Sequence, residues 1–327
     1  MPTTPNGDAE AFESALRDNP HDVAGWCAYA DWLAERGDPR GEFMQVQLAL
    51  DDESNPVYAW RHGFVWELTV GQLHADLARA LAAGPATRLL QVLRVHDVED
   101  ADPDAGAAPN PPGVDSYSPL FELIGSPLLH NLRVFQCGPE IADESVTADR
   151  WGNSGAYTCW TYVPGLEHVL ASLSRVEELH LYCKRYDIAS VFDLTNLTNL
   201  RVLRVYHLGV RGTDRGHHRE PYEYPVGVLA ANPAFANLTH LLFHPHHEEG
   251  AIGPPLDCFL PLSELQEIIA SPHLTKLTHL QFRLSDMGDE GVRELVSSGF
   301  LKRLKWLDLR HGCITDEGAK LLATCPD

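Results

Sequence analysis

Hydrophobic residues recur along this chain in one spelling. In residues 304–314, Leu304, Leu307 and Leu309 stand first, fourth and sixth, with polar or aromatic residues between them. The same L-x-x-L-x-L-x-x spacing returns at 90–98, 129–137, 176–184, 200–208, 238–246 and 277–287. An eighth stretch, 65–70, fits the front half and is expected to cap the first edge. Alternation over six residues predicts a short strand whose leucines turn one way and whose intervening residues turn the other. Each strand is followed by apolar residues at helical spacing, as at 262–270, 291–296 and 72–83; in the last, Leu73, Leu77 and Leu81 share a face and Gly84-Pro85 stops the run. Ser126-Pro127-Leu128-Leu129 and Ser271-Pro272-His273-Leu274 spell near-identical turns from helix to strand. One strand and one helix cannot bury their own apolar faces, so the units must stack.

This spelling resembles the leucine-rich repeat, in its helix-containing, ribonuclease-inhibitor-like class, over about residues 60–327. The resemblance implies an α/β solenoid over 57–327 with about eight strands, a parallel sheet on the concave face and helices on the convex face. It also implies a binding surface rather than a catalytic one. Intervals of 24 to 47 residues between successive starts indicate that several units carry insertions, near 99–118, 138–165, 209–226 and 245–261. All four follow the C-terminal ends of strands and are expected along one rim.

Residues 1–56 read differently, as a helical module and a polar linker. Ala11, Phe12, Ala15 and Leu16 make a short amphipathic helix ended by Asn19-Pro20. Asp22 is placed to cap a second, whose Val23, Trp26, Ala30 and Leu33 share a face, and Asp38-Pro39 opens a third after Gly37. The run Tyr29-Ala30-Asp31-Trp32-Leu33-Ala34-Glu35-Arg36-Gly37-Asp38-Pro39-Arg40 is similar to the repeat-companion domain that precedes leucine-rich repeats in many bacterial proteins. That resemblance implies a bacterial interaction protein and no functional residue of its own.

With leucines inward, the third, fifth, seventh and eighth positions of each repeat are expected on the concave face. These place there Arg94, Arg133, Arg204, Arg283 and Arg310, the rings of Phe135, Tyr182, Tyr206 and Trp306, and histidines that include His180, His240, His244 and His279. Trp151, Trp160, His217, His218, Tyr222 and Tyr224 fall in the insertions and are expected on the rim. Arginine without lysine favours bidentate recognition of carboxylate or phosphate, and aromatic residues with arginine are the usual anchors of protein interfaces. The expectation is therefore an acidic or phosphorylated peptide or protein in the concavity.

Composition narrows the alternatives. A formal net charge of −21 argues against general binding to nucleic acid or to an anionic membrane. Seven cysteines without C-x-x-C spacing suggest reduced thiols and a cytoplasmic protein. The first residues are polar, without the basic and apolar regions of a signal peptide. No phosphate-binding loop, nucleophile elbow or dinucleotide fingerprint is spelled, so neither an enzyme nor a cofactor is expected. The exception to weigh is histidine. His240 and His279 hold equivalent positions on adjacent repeats, with His244 close in sequence, a set that would suit zinc if all three converged. The same histidines, with an ordinary pKa near 6.5, would otherwise strengthen anion binding below neutral pH. Two further readings stay open: a zinc-binding enzyme or sensor built on these histidines, and a structural adaptor acting through the N-terminal helices.

Overall fold

The computed structural model describes residues 5–19, 22–50, 57–61, 64–84, 87–99, 110–114, 116–139, 161–183, 186–206, 208–209, 224–244, 246–247 and 260–326. Three helices come first: α1 (Pro5–Asp18), α2 (Val23–Ala34) and α3 (Pro39–Leu50). Asp22 caps α2 as expected, its Oδ1 accepting from the Gly25 N–H at 3.0 Å. Gly37, at φ +69, ends the helix, and Asp38 accepts from the Arg40 N–H at 2.9 Å where α3 begins. Leu16, Tyr29 and Leu33 form a small core of their own, with Trp26 and Trp32 packed against it. Val23, expected on that face, is 63% exposed. It lies in the first turn of α2, whereas α3 crosses near Ala30, close enough that a Cβ on Gly41 would fall 2.5 Å from the Ala30 carbonyl.

Strands and helices then alternate. β1 (Val57–Arg61), β2 (Phe64–Leu73), α4 (Ala75–Ala83), β3 (Val92–Val98), α5 (Pro127–Asn131), β4 (Val134–Cys137), α6 (Leu166–Leu170) and β5 (Glu178–Leu181) form the first half. α7 (Ile188–Phe192), β6 (Val202–Val205), β7 (Leu208–Gly209), α8 (Val226–Ala231), β8 (His240–Phe243) and β9 (His246–His247) follow. α9 (Leu262–Ala270), β10 (His279–Phe282), α10 (Gly288–Ser297), β11 (Trp306–Asp308) and α11 (Asp316–Thr324) complete the chain. Nine strands make one sheet in the order β1-β2-β3-β4-β5-β6-β8-β10-β11, parallel throughout except for the antiparallel β1–β2 hairpin at the first edge. β7 and β9 pair with each other as short parallel extensions.

Register turns the repeat into rows. Leu93, Phe135, Leu179, Leu203, Leu241 and Leu280 stand side by side, and Val95, Cys137, Leu181, Val205, Phe243 and Phe282 form a second row. Both rows are buried and belong to one core that also takes in Leu77, Leu128, Val169, Val191, Leu229, Leu265 and Leu295 from the helices. Among the described residues, helices therefore cover one face of the sheet and none covers the other. Polar side chains tie each turn to the previous unit. Ser126 Oγ donates to the Ala82 carbonyl at 3.1 Å and Ser271 Oγ to the Ala230 carbonyl at 2.5 Å. Asn232 Nδ2 donates to the Phe192 and Leu194 carbonyls at 2.9 and 3.0 Å. These bonds satisfy carbonyls that a helix end would otherwise leave without partners.

Two sequence expectations shift. The helix expected from residue 72 begins at Ala75, because Gln72 and Leu73 continue β2 and pair with Asp97 and Val98 of β3; His74 Nδ1 caps it by accepting from the Leu77 N–H at 3.2 Å. The repeat expected to start at Leu129 starts at Leu132. Leu129 belongs to α5, and pairing of Val134 with Val92 fixes the frame three residues later. Among the described residues, no helix is long and apolar enough to cross a membrane.

Candidate functional site

The open face follows from the same register. Its leading row runs Glu67, Val92, Val134, Glu178, Val202, His240, His279 and Trp306, and its middle row Thr69, Arg94, Gln136, His180, Arg204, Leu242, Gln281 and Asp308. The trailing row holds Tyr182, Tyr206, His244, Arg283 and Arg310. Arg310 apart, exposure falls from the leading row to the trailing one. Trp306 is 40% exposed, whereas Tyr182, Tyr206, His244 and Arg283 are 4% exposed or less.

Rings pack along both rows. On the leading row, His240 and His279 stack with centroids 3.9 Å apart and planes 12° from parallel, and His279 stacks on Trp306 at 6.5 Å. Threonines orient both imidazoles: Thr239 Oγ1 lies 2.8 Å from His240 Nδ1, and Thr278 Oγ1 lies 2.9 Å from His279 Nδ1. On the trailing row, Tyr182 meets Tyr206 edge-on at 5.0 Å, and Tyr206 meets His244 edge-on at 4.8 Å. Arg204 Nη1 donates to the Tyr182 hydroxyl at 2.8 Å. These trailing rings were expected to face a partner and instead face one another.

The arginines do not form the expected cationic groove. Asp308 takes Arg283 Nε at 2.7 Å, accepts from Arg283 Nη2, and takes Arg310 Nη2 at 2.8 Å. Arg94 lies 3.8 Å from Glu67. Arg133 sits one residue ahead of β4, outside the face, and donates from Nη1 to Glu177 Oε1 at 2.7 Å. His180 lies 3.3 Å from Glu178, and that hydrogen bond, acting against burial, holds the Glu178 carboxyl below its usual range. Four of the five arginines counted for this face thus lie against an acid, Arg94, Arg133 and Arg283 across to an adjacent repeat and Arg310 within its own repeat.

Two aromatic assignments are corrected. Phe135 is fully buried in the core row beside Leu93, because the frame of its repeat lies three residues later than expected. Tyr224, expected on the rim, is also fully buried, edge-on to Phe243 at 6.0 Å. Trp151, Trp160, His217, His218 and Tyr222 lie outside the described residues. The three-histidine metal set does not assemble. His244 is four residues beyond His240 along the same chain direction, about 13 Å at the rise of a strand. Among the described residues, no group of three His, Cys, Asp or Glu is placed to hold a metal ion.

Burial, then the neighbouring His279, hold His240 below the ordinary imidazole value of 6.5, with Glu178 opposing and Arg204 adding to the shift. The unfolded chain therefore takes up this proton first as pH falls. The stabilisation from the neutral stack is complete above pH 6.5 and declines below it. Acidification works against this stack. In an NMR titration the His240 ring is expected to reach its midpoint below 6.5, to move up in His279→Asn and to move further down in Glu178→Gln. A midpoint at or above 6.5 in the parent would contradict the stacked, half-buried geometry.

A second concavity lies within the N-terminal helices, a cavity of about 470 Å³ lined by Leu16, Trp26, Leu33 and Met44, with Glu13, Tyr29 and Arg40 supplying polar groups. The Tyr29 hydroxyl donates to Glu13 Oε1 at 2.7 Å, and burial, reinforced by that carboxylate, raises its pKa. Phe12 stacks on Tyr29 at 5.3 Å, and the Arg36 guanidinium lies 4.0 Å above the Trp32 ring.

Residues 273–296 and 304–323 match the family described as Leucine Rich repeat. No curated protein matches the chain. The matched stretches span the turn into β10, that strand, most of α10, then β11 and α11. The same strand-and-helix unit repeats back to β3 in one parallel ladder, so the two matched stretches are leucine-rich repeats within an α/β, solenoid-like fold.

Proposed function

We propose that this protein is a non-enzymatic recognition module that takes an extended segment of another protein on the open face of its sheet, the concave face of the sequence reading. One observation carries this: the His240–His279–Trp306 stack, which threonines orient and which ends in an exposed indole. A ring held by its neighbours loses little conformational freedom on binding, and an exposed tryptophan is a typical interface anchor. Val202, half-buried beside His240 on the same row, extends the apolar track, and Val134 lies beyond Glu178. Selectivity for acidic or phosphorylated segments would draw on Arg204 in the middle row rather than on Arg283 or His180, which Asp308 and Glu178 already hold.

The test is selection of peptides from a random displayed library on the full chain. Enriched peptides are expected to lose at least about tenfold in affinity on Trp306→Ala, about 1.4 kcal/mol. Failure to enrich any peptide, or equal binding to the variant, would reject the reading. An adaptor acting through the N-terminal helices is the second reading, and the cavity beside Trp26 and Leu33 favours it. The likeness of these helices to a repeat-companion domain, a bacterial source and a cytoplasmic location belong to the same proposal.

A further inference from the structure

Charge is distributed very unevenly over this fold. The four residues that precede each of β3, β4, β5, β6, β8, β10 and β11 hold eight lysines and arginines and one acid, Glu177. Their net charge of +7 leaves −28 on the rest of the chain. Six of these seven turns carry a cation, and the turn before β8 carries none.

Hydrogen bonds place these turns along a single edge. The backbone N–H of Arg133 donates to the Gln91 carbonyl, that of Glu177 to Arg133, and that of Arg201 to Glu177, each at 2.7 Å. The ladder continues through Thr239 and Thr278 to Lys305 at 2.9, 2.9 and 2.7 Å. A parallel line of side chains runs beside it. Asn131 Nδ2 donates to the Arg88 carbonyl at 2.7 Å, Arg175 Nη1 to Asn131 Oδ1 at 3.4 Å, and Lys276 Nζ to Asn237 Oδ1 at 2.6 Å. The third residue of each turn, from Leu90 to Leu304, packs against the core, so the residues on either side of it are turned outward. Arg88, Arg175, Lys276 and Lys305 are exposed, and the Arg201 side chain is 67% exposed. Asparagine orients two of these cations without cancelling their charge. Glu177 competes, at 2.7 Å from Arg133 and 4.0 Å from Arg201.

Seven rungs at the spacing of adjacent strands span about 29 Å, the length of about nine residues of extended chain. The edge is therefore long enough for a short acidic segment. It is too narrow for a duplex or a bilayer surface, which would also meet the strongly acidic remainder of the chain within a Debye length of about 8 Å. We propose that this helix-to-strand edge is a docking rail for an acidic, extended segment of a partner polypeptide, about nine residues long. The rail does not depend on the open-face reading, because none of its cations belongs to the rows described above.

The test uses a fluorescein-labelled peptide of alternating Glu and Ser, about nine residues long, and fluorescence anisotropy on the full chain. Binding is expected to weaken about tenfold between low and physiological salt. The joint change of Arg88, Arg175, Arg201, Lys276 and Lys305 to Gln is expected to abolish it, while peptides selected on the open face still bind that variant. Glu177→Gln is expected to strengthen binding about threefold by releasing Arg133 and Arg201, and it keeps the proposal testable if the fivefold variant fails to fold. No binding by the parent chain, binding insensitive to salt, unchanged affinity in Glu177→Gln, or tighter binding to oligothymidylate or phosphatidylserine vesicles than to the peptide would each overturn the proposal.

Discussion

Asp308→Ala is expected to destabilise the last repeats by about 3 to 5 kcal/mol, the cost typical of removing one partner from a buried ion pair. Arg283 is 2% exposed and directs both Nε and Nη2 at the Asp308 carboxylate. Without that carboxylate, the buried guanidinium loses the anion that accepts from two of its nitrogens. Arg310 loses its hold as well, but its side chain is 53% exposed and water replaces the lost bonds at little cost. Because each unit of a solenoid is stabilised mainly by its neighbours, the damage is expected to concentrate in β10 and β11 and to fade toward β3. Hydrogen exchange on Asp308→Ala is expected to show faster exchange in residues 279–308, with the first strands near parent protection. Uniform protection along the sheet would contradict both the energetic role of the pair and the local propagation.

Gly138→Ala is expected to be nearly as damaging, through the backbone. Gly138 follows β4 at φ +91, where a side chain is strained, and an added Cβ would overlap the Tyr182 carbonyl and lie 2.6 Å from its carbonyl carbon. That point cannot yield. The Tyr182 N–H is bonded to the Cys137 carbonyl and the Gly138 N–H to the Val95 carbonyl, both at 2.7 Å. Strain and overlap together are expected to cost about 3 kcal/mol. The loss falls between β4 and β5, in the middle of the ladder, so the denaturant transition should broaden as the two halves uncouple. A midpoint and slope equal to the parent's would show that the backbone relaxes there, and would remove the reason given for glycine at this position.

Most of the fold was legible because a period-two strand repeated at intervals has few alternatives. In six of the seven full repeats, the leucine template put the correct residues in the core. The exception is instructive. Leu128-Leu129-His130-Asn131-Leu132 offers two superposable frames, and both Leu129 and Leu132 are buried, one from α5 and one at the start of a strand turn. Only pairing with β3 chooses between them, and that choice sends Phe135 into the core. Gln72 and Leu73 were misread for a related reason. Their pattern suits the first turn of a helix as well as the end of a strand, and the pairing partner that holds them in β2, the seven-residue β3, lies beyond α4 in the chain.

The candidate site was legible as a row of positions but not as a set of available groups. From the repeat alone followed that His240, His279 and Trp306 share a line and that Arg204, Gln281 and Asp308 share the next, since equivalent positions on stacked units must become neighbours. Which of those groups is spoken for depends on contacts across strands, such as Glu177 with Arg133 or Asp308 with Arg283, 44 and 25 residues apart. Charge balance, ring stacking and burial are properties of neighbours in space, and a local spelling fixes a neighbour only when the insertion lengths and the frame of each turn are already known. The sequence by itself determined the repeating unit and the direction of its side chains. Tertiary structure decided which cations are neutralised, which rings are sealed in, and that the cations ahead of each strand line up on one edge.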